Sequence, residues 1–187
     1  MANRNTVGFG LIPTGTVGSN VANGGQSKYF IDAGYNVDLF QGTVIQSKVG
    51  YMKTAEANIT DKSIGVLNGI FYNAATTLKP TFSNHYVQVT PANSEDIDAF
   101  VFDNPQQQYV VATDDSVAQS GYLETYDMNT SAGSTTTGKS SATLDIGDTS
   151  ADAAAFRLLR SAEDPENDEN AAFRSVVVCL NLIELQS

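Results

Sequence analysis

Residues Gly133-Ser134-Thr135-Thr136-Thr137-Gly138-Lys139-Ser140 satisfy the pattern G-x-x-x-x-G-K-[ST] of a phosphate-binding loop. That chemistry needs a buried apolar strand to deliver the loop and a helix whose N-terminus then faces the phosphates. The preceding residues, Tyr126-Asp127-Met128-Asn129-Thr130-Ser131, are mostly polar, and the next ones, Ala142-Thr143-Leu144-Asp145-Ile146-Gly147, read as a strand and turn. A structural turn is therefore expected, and no nucleotide cofactor. Asp164, Glu166 and Asp168 alternate as Ca²⁺-loop ligands do, but Glu169 stands where the loop's glycine belongs and Ser175 where its last carboxylate belongs. A solvated acidic turn is expected there, without metal.

His85 is the single histidine and Cys179 the single cysteine. Zinc sites and Ser-His-Asp machinery need more partners than that, so His85 reads as a structural residue at a strand end. Cys179 lies inside the apolar run 175–183 and reads as a small buried hydrophobe, not a reactive thiol. Asp114 and Asp115 are adjacent, so on a strand they point apart, and they read as turn residues. No constellation amounts to an active site, and no enzyme is expected.

The elements that would position these residues are strands. Short apolar pieces punctuated by Gly, Asn and Asp recur at 29–31, 37–40, 42–45, 48–52, 63–72, 85–90, 97–102, 109–111, 142–146, 156–160 and 175–183. The pattern predicts an all-β protein, a single barrel or sandwich with long polar loops. No long amphipathic helix and no internal repeat is visible. Residues 112–128 hold the weakest β pattern, with room for a short helix; 129–141 read as a flexible polar loop; Asp152 could cap one helical turn. Residues 1–27, rich in Gly, Asn and Thr, predict an extended arm, and residues 28–187 the β-rich domain. The run from Val176 is apolar on both alternating faces, so it requires cover on both sides, from its own core or from another subunit.

Bulk composition sets limits. The chain has 187 residues, 41% of them hydrophobic, enough for a sizeable core. Its formal net charge of -11 repels phosphate backbones and anionic membranes, so neither nucleic acid nor membrane is an expected partner. No run approaches the about 20 apolar residues of a membrane helix, and Met1–Gly10 lacks a signal-peptide core. A soluble chain used without secretion is expected.

Several stretches together resemble the small structural proteins of tailed bacteriophages, of the marine and cyanobacterial type, that act as capsid or head-decoration proteins. They are Asn3-Arg4-Asn5 with Gly8–Pro13, 32–36 leading to 39–44, 64–69, 101–105 with Tyr109, Thr137–Ser140 with Leu144-Asp145, and Leu158–Arg160 with Asp164–Asn167 and Val176–Val178. The resemblance implies a β-rich cement protein on the capsid surface of the virion, assembled in the host cytoplasm. Its partner would be the major capsid protein, and it would form a homo-oligomer, with a trimer suggested. It brings no catalytic or cofactor residues.

Within that reading, an extended arm can add a strand to a neighbour's sheet edge. The interface residues expected are Val7, Phe9, Leu11 and Ile12 of the arm, Asp164 and Glu166 of the acidic turn, and Val177 and Cys179 of the last strand. The rivals are another virion component (major capsid, neck, tail or fibre protein) and, from a different class, a β-sandwich enzyme or carbohydrate-binding module. The major capsid reading is disfavoured because its shell fold needs a long spine helix.

Overall fold

Alternation decides which side of each strand is buried. In the run 175–180, Val176, Val178 and Leu180 enter one apolar core, and the strand beside it sends in Tyr109 and Val111. The same period-2 pattern at 97–102 sends Ile97, Ala99 and Val101 into a second core. The computed structural model describes residues 3, 6–18, 25–55, 63–89, 91–129, 133–147, 155–168 and 170–181, and these form two antiparallel sheets. No helix among them is long and apolar enough to cross a membrane.

In chain order the strands are β1 (Ile12–Thr16), β2 (Ser27–Ile31), β3 (Val44–Lys48), β4 (Tyr51–Thr54), β5 (Gly65–Asn73) and β6 (Pro80–Ser83). They continue with β7 (Ile97–Phe102), β8 (Gln107–Ala112), β9 (Thr125–Asn129), β10 (Thr143–Asp145), β11 (Phe156–Ser161) and β12 (Ser175–Leu180). The first sheet runs β1-β8-β12-β11-β9-β10, and the second β2-β7-β5-β3-β4 with β6 on β5. Sheet two is thus one continuous stretch, β2 to β7, set between two neighbouring strands of sheet one. Sheet one curls back on itself: Thr113 bridges Leu144, and the Asp114 N–H donates to the Leu144 carbonyl at 3.0 Å. In sheet two, β2 and β4 approach each other, and the Thr54 N–H donates to the Tyr35 hydroxyl at 3.0 Å.

The all-β expectation holds, in the form of two packed sheets. Residues 12–16, expected in a loose arm, are instead β1, paired antiparallel with β8 of the same chain. Around it the Gly10 N–H donates to Ala142 O (3.2 Å), the Leu11 N–H to Gly42 O (3.0 Å) and the Val17 N–H to Gln106 O (2.9 Å). Backbone groups that find partners within the chain are not offered to a neighbour. Of the expected strand 85–90, the described residues 85–89 form none: Tyr86 makes one bridge to Leu39, and Gln88 adopts φ 30°, which breaks extended pairing. Residues 37–40 likewise contribute one bridge, at Leu39. The weak segment 112–128 holds a 3-10 turn at Gln119–Gly121 and then β9. The helical turn at 152–154 and the strand end at 182–183 lie outside the described residues.

The doubly apolar strand is covered from within on its inner face and at Val177, while Cys179 on the outer face stays half-buried. Its inner face fills the first core, while Val177, on the outer face, is only 2% exposed. Val177 lies in a groove of about 510 Å³ bordered by Arg160, Ala162 and Pro165 of the connection from β11 to β12. Buried apolar side chains of this size each contribute about 1.5–3 kcal/mol.

The two cores meet through tyrosine and backbone. Val44, Val66 and Phe102, from β3, β5 and β7, belong to the first core although their strands lie in sheet two. The Tyr109 hydroxyl donates to the Phe102 carbonyl at 3.1 Å, and burial pushes its pKa well above the usual tyrosine range. Burial likewise raises Tyr35, Tyr86 and Tyr126. Each folded-state pKa lies above its unfolded value, so this stability is fully present below the unfolded pKa and lost as pH rises. Unfolding free energy, measured by urea denaturation, is therefore expected to fall above about pH 10. Tyr109→Phe should cost about 1 kcal/mol at neutral pH and make the alkaline fall shallower.

Candidate functional site

The turn that matches the phosphate-loop pattern joins the two sheets. Ser134 and Lys139 bridge each other, and the Gly138 N–H donates to Ser134 O at 2.7 Å, closing a tight turn where a flexible loop was expected. The Gln41 N–H donates to Gly138 O and the Ser140 N–H to Gln41 O, both at 2.9 Å. The glycines are fixed by packing. Gly138 has φ +70°, and a Cβ there would lie 2.1 Å from the Asn84 amide oxygen. A Cβ on Gly133 would lie 2.3 Å from the Phe40 ring. The Asn84 amide in turn donates to Thr137 O at 2.9 Å.

The turn leads into β10, not into a helix, so no helix N-terminus faces it. Ser140 is buried, and its hydroxyl accepts from the Ala142 N–H at 3.2 Å. Lys139 is exposed at the rim of a cavity of about 200 Å³ lined by Phe9, Leu11, Pro13, Leu67 and Phe102. Gln41 and Asn68 on that rim hydrogen-bond each other at 2.9 Å. The signature residues thus do the work of a clasp.

The other candidate groups are also engaged in shaping the chain. His85 Nδ1 lies 2.9 Å from the Asn84 amide oxygen, and its ring stacks on Phe40 at 6.0 Å. Asp114 accepts the Ile146 N–H at 2.9 Å, and Asp115 the Ser116 N–H at 2.6 Å. In the acidic connection, Asp164 accepts the Glu166 N–H (3.0 Å) and Asp168 the Asn170 N–H (3.1 Å). Among the described residues no His, Cys, Asp and Glu side chains group as a metal ion would require.

The expected interface residues separate into groups. Leu11 and Val177 are buried in the chain's own packing; Val7 and Ile12 are exposed; Phe9 is half-buried. Asp164 and Glu166 are exposed on the connection between β11 and β12. That connection is organised by two amides whose role no local pattern marks. Asn167 donates to Ser175 O (2.8 Å) and accepts the Ser175 N–H (2.9 Å). Asn3 donates to Ala172 O (2.9 Å) and accepts the Asp168 N–H, tying the start of the chain to the same connection. Cys179 is half-buried on the outer face opposite Arg157. Burial pushes its thiol pKa up, and the neighbouring Arg157 charge pulls it back only in part.

A surface absent from the sequence-based expectations is the outer face of sheet two. Register places Phe30, Asp98, Phe71 and Phe82 in one row across β2, β7, β5 and β6. Phe100 stands opposite Gly69, whose missing side chain lets rings from β7 and β6 meet across β5. Phe71 and Phe82 lie 4.7 Å apart and Phe82 and Phe100 6.3 Å apart, ring centre to ring centre. Lys28 Nζ sits 5.2 Å over Phe30 and 3.3 Å from Asp98 Oδ2. Phe82 remains 74% exposed. A signal for this face exists in the sequence: residues 97–102 are apolar on both faces apart from Asp98, the same criterion that marks β12. No family model, curated protein or solved structure matches the chain.

The clasp separates two roles that the motif string conflates. Gly138→Ala should destabilise the fold by about 1–3 kcal/mol, through strain and the clash with Asn84. Lys139→Ala should change stability by less than about 0.5 kcal/mol. ATP, titrated by calorimetry, should give no binding heat with either the parent chain or Lys139→Ala. Heat that disappears in Lys139→Ala would overturn the clasp assignment.

Proposed function

We propose that this chain is a structural, non-catalytic virion protein that binds the outside of a bacteriophage capsid lattice and stabilises it. The observation that carries this reading is the kind of residue held at the loop tips. Val49 at the β3–β4 tip, Leu78 at the β5–β6 tip and Leu123 before β9 all have left-handed backbones, with φ of 55°, 52° and 67°. They are also 91%, 72% and 62% exposed. An L-residue other than glycine held there costs about 1–2 kcal/mol, most severely when β-branched. Apolar side chains gain nothing from water. Strain and exposure together mark contact points, and these three sit on separate loops, as suits a protein that touches several neighbours.

Two further features support the reading. The stretches that resemble phage head-decoration proteins are spread along most of the chain. An all-β body whose polar groups serve turns and clasps leaves its surface for contacts. A cement role needs only modest affinity per copy, because many repeated contacts sum over the lattice.

The test is made on particles. Heads assembled without this protein should lose integrity at a lower temperature than complete heads, and on dilution into low salt that complete heads survive. Adding the purified chain should restore resistance. Val49→Asp and Leu123→Asp should each reduce occupancy on the head while leaving the isolated chain's melting temperature unchanged. Equal resistance with and without the protein, or a few copies per particle in place of many, would overturn the reading.

A further inference from the structure

Among the described residues, the part of sheet two's outer face that carries Phe30, Phe71, Phe82 and Phe100 has no partner, and its charge pattern points to what covers it. Strands β2, β5, β6 and β7 carry between them one cation, Lys28, and one anion, Asp98, in a chain of formal net charge -11. Two copies of an acidic protein repel over most of their surfaces. Over this face they repel least, because the charges carried on its strands cancel; at its edges exposed Lys79 precedes β6, and exposed Asp32 and Asp96 flank β2 and β7. We infer that this face is the contact between two copies of the chain, packed sheet against sheet about a two-fold axis.

The geometry suits an isologous contact, in which the same patch serves both partners. The row Phe30, Asp98, Phe71 and Phe82, with Phe100 beside it, sets aromatic rings on both sides of a single carboxylate, whose charge Lys28 neutralises. Sheets pack face to face about 10 Å apart with side chains interdigitating. Lys28 and Asp98, paired within each chain at 3.3 Å, can exchange partners across the axis. An aromatic side chain brings about 150–250 Å². The exposed parts of four rings therefore supply the centre of a contact, not the whole of a standard interface of roughly 800 Å² per partner. The contact is thus a weak, reversible dimer. This contact goes beyond the capsid reading and does not depend on it; the strained loop tips remain free for the lattice.

The experiment uses the full chain, with mass measured by light scattering and sedimentation across a concentration series. The parent chain should pass from monomer to dimer. Phe82→Asp should raise Kd by at least about tenfold, while Val49→Asp, a still more exposed apolar site on the same sheet's loops, should not. Lys28→Asp and Asp98→Lys give faces of opposite net charge. Each variant alone should stay monomeric, and an equimolar mixture should dimerise. Circular dichroism and melting confirm that each variant is folded. A parent chain that stays monomeric overturns the inference, as does a mixture that behaves like its components. If the chain is monomeric but Phe82→Asp loses attachment to heads, the face belongs to a capsid partner and this inference alone fails. If it dimerises but is absent from particles, the capsid reading alone fails.

Discussion

The structure depends on one backbone exchange. Gln41 donates its N–H to Gly138 O and accepts the Ser140 N–H at its own carbonyl, while Leu11 donates to Gly42 O one residue on. These bonds join three segments far apart in sequence: the lead-in to β1, the loop before β3 and the turn before β10. They matter because of the topology. Sheet two enters and leaves between β1 and β8, which are neighbours in sheet one. An inserted sheet could hang from that pair alone. The exchange at Gln41 adds a second attachment from the far side of sheet one, and Val44, Val66 and Phe102 then reach the first core. Buried backbone groups must find partners, so each segment fixes the others' course.

The same constraint explains why a nucleotide-loop signature arises without nucleotide chemistry. A clasp needs close backbone approach, which selects glycine where Phe40 and Asn84 press in. It needs a turn, and Ser and Thr are at home in turns. Gly, Ser, Thr and Lys in this order therefore satisfy a short pattern for reasons of packing. The decisive signal lay outside the string, in the polar approach and the strand after it.

Legibility tracked alternation. β7, β8 and β12 could be read because apolar residues recur at period two and their inward faces are buried. β1 could not, because Pro13 and Gly15 weaken the pattern and a register shift between them bends the strand; β8 supplies what the segment lacks. β6 hid behind Pro80, which an edge strand tolerates. β9 hid because its interior includes Thr125 and Asp127, polar residues buried where the Asp127 carboxylate accepts the Ala155 N–H at 3.3 Å. In the acidic connection the carboxylates drew the eye, but the amides of Asn3 and Asn167 order the chain. Such long-range pairings, up to 169 residues apart, leave no local trace. The aromatic face was readable from both-sided apolarity at 97–102, but its width depended on the register of four strands.

The acidity of the chain has a structural origin that bears on where its surfaces can meet. Asp32, Asp145, Asp164 and Asp168 each accept the backbone N–H two residues ahead, at Gly34, Gly147, Glu166 and Asn170. Asp114 and Asp115 serve backbone donors as well. Aspartate is favoured in turns for this bond, and a chain with twelve short strands among its described residues needs many turns. Negative charge therefore accumulates where the chain reverses and is sparse where strands lie flat. A sheet face distant from turns becomes the neutral part of an acidic molecule without any separate selection for neutrality. The broad face of β2, β7, β5 and β6 is therefore where charge repulsion opposes an apolar contact least. The fold's demand for turns thus sets the charge contrast between that face and the rest of the surface.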